Sequence, residues 1–258
     1  VAKSTALSAK HGLLIKNRTA FENARKITTL VFDKTGTLTV GKFQVVRFVT
    51  HSDKYTKEQI LQYAAALEQN SEHPIATGIT SKAKEMKMEL PSVMVVSPGY
   101  LQGKFTFLTK EEVVKAEETL VFVLIDDDIA GSIALADEIR PESAEAIKTL
   151  HENNIKTILL TGDNATVAKG VCERLGMDSF IAEVLPHQKL EKIKELQSQG
   201  EFVAMTGDGV NDAPALAQAN VGIAVGSGSD IAAETAGIVL VNSNPKDVVS
   251  LIQFGKAT

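Results

Sequence analysis

The segment Ile27–Thr39, which reads ITTLVFDKTGTLT, decides the fold of this chain. Its first half is apolar and rich in β-branched and aromatic residues, and it ends abruptly at Asp33. Two later segments share this design, KTILLTGD at 156–163 and FVAMTGD at 202–208. Strands that are apolar on both faces and alternate with helices indicate a parallel sheet covered on both sides. The sequence therefore predicts a doubly wound α/β domain.

Further patterns extend this domain. They are expected strands at 221–225 and 237–241 and expected helices at 141–153 and 188–199. In sheets of this kind, ligands bind at the carboxyl ends of the strands. Asp33, Thr161 and Asp208 all fall at such ends, so this edge of the sheet is the predicted site.

The stretch 46–135 has a different pattern. Two helical patterns, at 57–69 and 74–86, precede apolar runs that turn residues separate, at 93–96, 105–108, 120–125 and 129–135. Strands that follow one another without long helices indicate an antiparallel sheet flanked by helices. We therefore predict an α+β domain at 46–135, inserted into a discontinuous domain made of 1–45 and 136–258.

Composition argues against several classes of function. The net charge is −5, the isoelectric point is near 5.6, and the basic residues are scattered, so no nucleic-acid partner is expected. The single cysteine, Cys172, excludes an internal disulfide and is expected to be a small core residue. The longest apolar run, 120–125, is far shorter than the roughly 20 residues of a spanning helix. The chain as given is expected to be soluble, and Val1 in place of an initiating Met indicates a fragment.

Asp33 is the candidate nucleophile. A carboxylate at the end of a buried strand could attack a phosphoryl group while Lys34, Thr35 and nearby backbone N–H groups orient the transferred phosphate. Asp, Thr and Gly alone would make an ordinary turn. The seven-residue string 33–39 is far more specific than such a turn.

Asp208 is the candidate partner of Asp33 in holding Mg²⁺, since such ions take one or two carboxylates together with phosphate oxygens and water. Asp212, with Asn211 beside it, could hold the waters of the ion or the phosphate. The alternative is that 206–212 is a glycine-rich loop with solvated carboxylates.

Thr161 and Gly162 can supply a hydroxyl and a backbone N–H to a phosphate, and Lys189 can offset its charge from the start of a helix after Pro186. From spacing alone, however, Lys189 would be an ordinary surface lysine like Lys192 and Lys194.

In this order, the motifs at 33–39, 161–163 and 206–214 resemble those of P-type ATPases. SEHP at 71–74 resembles the signature of the heavy-metal-transporting subgroup, and LIKNRTAFE at 14–22 is most similar to copper pumps of the bacterial and archaeal B type. The resemblance covers essentially the whole chain. It implies a haloacid-dehalogenase-like phosphorylation domain, an inserted nucleotide-binding domain, an aspartyl phosphate, and the use of ATP and Mg²⁺.

The resemblance also assigns roles to single residues. It makes Asp33 the phosphorylated residue, with Thr35, through its carbonyl, and Asp208 as magnesium partners. The other catalytic residues that it implies are Lys34, Thr161, Gly162, Lys189, Asn211 and, as a second carboxylate, Asp212. It places His73, with Glu68 five residues earlier, at the adenine end of ATP. From the residues alone, His73 would be a helix-capping or core histidine.

The nucleotide loop departs from the family pattern, which is Gly-x-Gly-x-x-Gly with a Gly-Asn pair further on. Residues 97–103, SPGYLQG, keep Gly99 and Gly103 with altered spacing, and no Gly-Asn pair follows. These two glycines are candidates for letting the backbone approach ATP, and they are equally well explained as turn glycines. ATP affinity is therefore expected to be unusual.

A second departure concerns phosphatases of the same fold, which commonly carry an aspartate two residues after the nucleophile, where this chain has Thr35. A threonine is no carboxylate general base, so we expect slow hydrolysis of an acyl phosphate. Two other functions stay open: a soluble phosphatase of this fold, and a non-catalytic phospho-acceptor or nucleotide-binding module.

The resemblance implies partners outside this chain, namely the membrane helices and the actuator domain of the same pump, with this part at the cytoplasmic face of the cell membrane. The transported ion, for which copper is favoured ahead of silver, zinc and cadmium, would not bind here. The part in hand is expected to bind ATP and turn it over slowly, with hinges near 46 and 135–140, and to transport nothing alone.

Overall fold

The computed structural model describes residues 12–69, 71, 73–88, 94–96, 118–125, 128–207, 210–225, 234–242 and 244–256. The chain divides into two compact units, one drawn from Val1–Val40 and Ile139–Thr258 and the other from Gly41–Glu138. The expected boundaries at 45/46 and 135/136 fall inside two long strands, because each strand continues past the position at which its sequence pattern changes.

The elements are numbered here in chain order. The strands are β1 (Leu13–Ile15), β2 (Thr29–Asp33), β3 (Thr39–Thr50), β4 (Met94–Val96), β5 (Thr119–Ile125), β6 (Asp128–Ile139), β7 (Lys156–Leu160), β8 (Ser179–Ile181), β9 (Val203–Gly207), β10 (Val221–Val225) and β11 (Ile238–Leu240). The α-helices are α1 (Arg18–Asn23), α2 (Lys57–Glu68), α3 (Pro74–Glu85), α4 (Ser143–Glu152), α5 (Ala165–Leu175), α6 (Pro186–Ser198), α7 (Ala213–Gln218) and α8 (Pro245–Lys256). Among the helices of the described residues, none combines the length and apolar character that crossing a membrane requires.

The first unit is built on a seven-stranded sheet in the order β1-β11-β10-β9-β2-β7-β8. Neighbouring strands from β11 to β8 are parallel, and β1 adds to the edge antiparallel to β11. This arrangement confirms the predicted doubly wound α/β fold. The strands expected at 221–225 and 237–241 are β10 and β11.

Strand β2 lies in the middle of this sheet and is buried along its whole length. Leu30 and Phe32 point into a core shared with helices α1, α4, α5 and α8, whereas Val31 points into a second core under α6 and α7. An apolar strand that is covered on both faces fixes the position of its last residue, because neither face can slide toward water without loss of burial. That last residue is Asp33.

The second unit contains a four-stranded sheet in the order β3-β6-β5-β4, in which β4, β5 and β6 pair antiparallel. Helices α2 and α3 pack their apolar sides, including Ile60, Leu61 and Ile79, against Val123 and Ile133 of the sheet. This confirms the predicted antiparallel α+β arrangement. The strand expected at 105–108 lies outside the described residues.

Candidate active site

Asp33 lies at the carboxyl end of β2, which pairs with β7 on one side and with β9 on the other. Thr161 follows β7 directly, and both residues are buried. The structure thus brings these two predicted site residues to one edge of the sheet. Asp208, which follows β9 in the sequence, lies outside the described residues, as do Gly99 and Gly103, so their roles stay predictions.

Lys189 joins two carboxylates at this edge. Its Nζ donates to Oδ1 of Asp33 and to Oδ1 of Asp212, at 2.6 Å in both cases. The side chains of Lys189 and Asp33 are each 9% exposed and that of Asp212 is 3% exposed. Burial alone would lower the pKa of Lys189, but the charges and hydrogen bonds of Asp33 and Asp212 outweigh it and hold this pKa above its ordinary value. The ammonium group is therefore charged at neutral pH.

The interpretation of Lys189 as a surface lysine is wrong, because helix α6 turns this residue toward the sheet. The segment before α6 is tied to the end of β7, since the N–H of Val184 donates to the carbonyl of Thr161 at 3.1 Å. Pro186 then begins the helix, and Lys189 lies in its first turn. Lys192, one turn later, is exposed enough to pair with Glu195 on the helix surface.

Asp212 is also placed differently from the solvated loop that the sequence allowed. It is 2% exposed, and Gly207 at the end of β9 lies directly against its carboxylate, where a Cβ would collide. Its neighbour Asn211 is exposed. Asp212 therefore belongs to the interior of the site and Asn211 to its surface.

A second ion pair joins Lys34 to Asp163, a residue outside the predicted site list. Lys34 is buried, and its Nζ lies 2.5 Å from Oδ2 of Asp163. The hydroxyl of Thr161 donates to the same oxygen at 3.0 Å, and the N–H of Asp163 donates back to that hydroxyl at 3.1 Å. Asp163 thus positions both Lys34 and Thr161. Gly162, which lies between Thr161 and Asp163 in the sequence, is exposed. The Thr-Gly-Asp spacing was the signal that could have identified Asp163.

The loop after Asp33 is hydrogen-bonded by Arg140, just before α4, and by Ser143, the first residue of α4. Gly36 adopts φ +76°, in the left-handed region that favours glycine, and the guanidinium of Arg140 donates to its carbonyl at 3.0 Å. The carbonyl of Leu38 accepts from the backbone N–H of Arg140 at 3.0 Å and from the hydroxyl of Ser143 at 2.8 Å. Sequence patterns gave no signal for Arg140 or Ser143, because these contacts join residues more than a hundred positions apart.

The residues at this edge fit a phosphate and a hard divalent cation. The carboxylate of Asp33 and the backbone carbonyl of Thr35 are oxygen ligands of the kind that Mg²⁺ takes. Thr37 buries a hydroxyl that has no hydrogen-bond partner within the described part of the chain, and such a group calls for a ligand. The described residues contain no group of three or more His, Cys, Asp or Glu side chains that could hold a metal.

The second unit carries the two residues expected at adenine. His73 precedes α3, and its Nδ1 accepts from the N–H of Ile75 at 3.2 Å, which confirms the helix-capping role that its own sequence context indicated. The N–H of His73 donates to the hydroxyl of Ser71, whose own N–H donates to the carbonyl of Glu68, at 3.3 and 3.0 Å. This chain of bonds fixes the backbone of His73 relative to the end of α2. A pocket begins next to Glu68, lined by Gln69, Thr80, Ala83, Lys84 and Met88.

Comparison with known proteins identifies the class first. The sequence model of the haloacid dehalogenase-like hydrolases matches residues 27–220, which is more than half of the chain. The chain belongs to this family.

Closer relatives identify the branch. The copper-exporting P-type ATPase B of Archaeoglobus fulgidus is 48% identical over all of this chain, which spans 40% of that protein. A zinc-transporting PIB-type ATPase in the E2.Pi state superposes with a TM-score of 0.78 and 34% identity, over 100% of this chain and 45% of the other. The catalytic CPx-ATPase domain CopB-B is 30% identical with a TM-score of 0.73, over 98% of both chains.

This chain accordingly corresponds to the catalytic portion of a P-type ATPase, and it spans less than half the length of the full-length relatives that it matches. The fold, the motif order and the lysine-bridged carboxylates agree with that assignment.

Proposed function

We propose that this chain transfers the γ-phosphoryl group of ATP to Asp33 and thereby drives a heavy-metal export pump. The observation that carries the proposal is the buried ammonium of Lys189, which lies 2.6 Å from Asp33. A carboxylate nucleophile must approach a phosphate that is itself negative, and a fixed cation beside it lowers that repulsion. The site therefore has the charge arrangement that phosphoryl transfer to an aspartate needs.

In the proposed step, a carboxylate oxygen of Asp33 forms a bond to the γ-phosphorus of ATP. The bond from that phosphorus to the β,γ-bridging oxygen breaks, and its electron pair leaves with ADP. Lys189 and backbone N–H groups of the loop after Asp33 bind the phosphoryl oxygens. Mg²⁺, held by Asp33, the carbonyl of Thr35 and Asp208, would neutralise phosphate charge when bound.

The resulting acyl phosphate is expected to persist. Thr35 stands where a phosphatase would place a general base. Among the described residues, two further carboxylates of the site are engaged by lysines: Asp163 by Lys34 and Asp212 by Lys189. Hydrolysis then waits for a group from elsewhere in the pump, which suits a phosphoenzyme that lasts through a conformational step.

ATP binding is assigned to the second unit, with His73 and Glu68 at the adenine. Because Nδ1 of His73 accepts a backbone hydrogen bond, the neutral ring carries its proton on Nε2 and presents a donor outward. Gly99, Gly103 and the exposed Asn211 and Gly162 complete the proposed contacts to the nucleotide and its phosphates.

The relatives support a proposal for the activity of the whole pump. The full-length relatives export copper or transport zinc by name, and 48% identity to a copper exporter favours copper for this chain. Membrane helices and an actuator domain of the same pump are the proposed partners, and the cytoplasmic face of the cell membrane is the proposed location.

The test is the incorporation of radiolabel from γ-labelled ATP into acid-quenched protein. The wild-type chain is expected to retain hydroxylamine-sensitive label, and Asp33→Asn is expected to retain none. The control Asp53→Asn changes an exposed aspartate of the second unit and should label like wild type. Unchanged labelling of Asp33→Asn would refute the proposal.

A further inference from the structure

We propose that Lys189 acts as a built-in counter-ion that weakens Mg²⁺ binding while no phosphate is bound, so that the metal and the phosphate enter the site together. The inference rests on the proposed function, since it concerns the same site. It adds that Mg²⁺ and phosphate bind together rather than separately. In the absence of both, the charge of Asp33 is already offset by Lys189.

The contact geometry supports this role. Lys189 contacts both carboxylates at the short distance of 2.6 Å, and all three side chains are nearly excluded from water. Water cannot screen a charge in such a setting as it screens a surface lysine. The positive charge of Lys189 is therefore less screened, toward a cation that approaches Asp33, than the charge of a surface lysine would be.

Lys189 is also prevented from leaving. Its helix begins at Pro186, the backbone N–H of Leu185 is capped by the side chain of Gln188 at 2.9 Å, and Val184 is bonded to Thr161 at the end of β7. An ammonium group that left for solvent would abandon two buried carboxylates, at a large desolvation cost. The charge is therefore a permanent part of the site.

The consequence for ligands follows from charge counting. Asp33, Asp212 and Lys189 together carry −1, and removal of the lysine charge would make this −2. A positive charge a few ångströms from a divalent cation in partly wet protein changes its affinity on the order of tenfold. A bound phosphate reverses this weakening of Mg²⁺ binding. Lys189 attracts the phosphate, and the negative charge of the phosphate attracts the metal. Lys189 thus opposes Mg²⁺ alone and favours Mg²⁺ with phosphate.

The experiment measures Mg²⁺ binding by calorimetric titration without nucleotide, on the whole chain. Lys189→Met, which keeps the length of the apolar stem, should bind Mg²⁺ alone roughly tenfold more tightly than wild type. In saturating Mg²⁺, the same variant should bind inorganic phosphate at least roughly tenfold more weakly. Lys192→Met removes an exposed lysine of the same helix and should change neither affinity.

A charge-balanced pair keeps the inference testable if Lys189→Met does not fold. Asp212→Asn retains the lysine and should bind Mg²⁺ alone roughly tenfold more weakly than wild type, whereas Lys189→Met combined with Asp212→Asn should bind it as wild type does. Equal Mg²⁺ affinity in these two variants, or looser binding in Lys189→Met than in wild type, would overturn the inference. The titration contains no ATP, so its Mg²⁺ affinities can be interpreted even if Asp33 is not labelled. Failure to label Asp33 would refute the proposed function alone.

Discussion

Removal of the Lys189 charge should make the stability of the first unit strongly dependent on pH. In the native protein, Nζ lies 2.6 Å from Asp33 and from Asp212, and none of the three side chains is more than 9% exposed. Lys189→Met would leave two buried carboxylates near one another without a cation. Breaking a buried ion pair from one side costs about 3–5 kcal/mol, and a unit of this size loses about 2–4 °C in Tm for each kcal/mol. We expect a fall in Tm of roughly 10 °C or more at pH 8.

The pH dependence separates charge from packing. Without the lysine, two buried carboxylates repel one another, and protonation at low pH removes that repulsion, so the penalty should shrink as the pH falls. In the wild-type protein, the raised pKa of Lys189 means that its contribution is fully present below about pH 10.5 and is lost only as the pH rises further. Between pH 5 and 8, therefore, the free energy of unfolding of the variant should change with pH, whereas the contribution of Lys189 to that of the wild type should stay constant.

The assay is urea unfolding followed by circular dichroism at several pH values, with Lys192→Met as the matched control. Lys192 lies on the same helix and pairs with Glu195 on the surface, so its loss should cost no more than about 0.5 kcal/mol at any pH. A Lys189→Met penalty that is the same at pH 5 and pH 8 would show that the lysine stabilises by packing alone, and would refute the electrostatic argument.

Three further predictions concern other parts of the molecule. Gly36→Ala forces a side chain into φ +76°, so it should cost about 1–2 kcal/mol in urea unfolding and lower radiolabelling of the chain; normal values for both would contradict the strained turn. Burial raises the pKa of Asp178, but hydrogen bonds from Thr157 and the contact with His151 outweigh this and lower it, so that its contribution is present above about pH 4 and lost as the pH falls further. Asp178→Asn should therefore cost no more than about 1 kcal/mol at pH 7 and progressively less as the pH falls below 4, and a penalty independent of pH would argue against this. His73→Asn keeps a helix-capping side chain whereas His73→Ala does not, so both should weaken ATP binding in calorimetry but only the alanine variant should lose about 1 kcal/mol of stability; unchanged ATP affinity in both would remove this residue from the site.

Much of the central sheet was predictable because each strand carries a strong local signal. The apolar segments that end in Asp33 and Thr161 could be identified as neighbouring parallel strands without knowledge of any contact. Short edge strands lacked such a signal: β1 and β8 have three residues each, and β1 is defined by its pairing with β11. The equally short β11 was recognisable because its apolar run extends beyond the strand, over 237–241.

The meeting of Asp33 and Thr161 at one edge of the sheet was predictable from their places at strand ends, whereas the ion pairs at that edge were not. The residues that meet at the strand ends were recognisable from motifs, but three lysines of α6 look alike in sequence, and only the packing of the helix shows which one is buried. The motif at 161–163 could have marked Asp163 as part of the site, but nothing in the motif indicates that its partner is Lys34. Arg140 is the extreme case, because its role depends on a carbonyl 104 residues away.

The hydrogen bond from Arg140 to the carbonyl of Leu38 also bears on how such a chain can be assembled from modules. The chain leaves the first unit just after Leu38 and returns to it just before Arg140, and these two points are 3.0 Å apart between donor and acceptor. The gap is short enough for a minimal linker to bridge, at little cost in loop-closure entropy. We therefore expect that a short linker can replace residues 41–138 and that the remaining chain would close on itself at the place where it was cut.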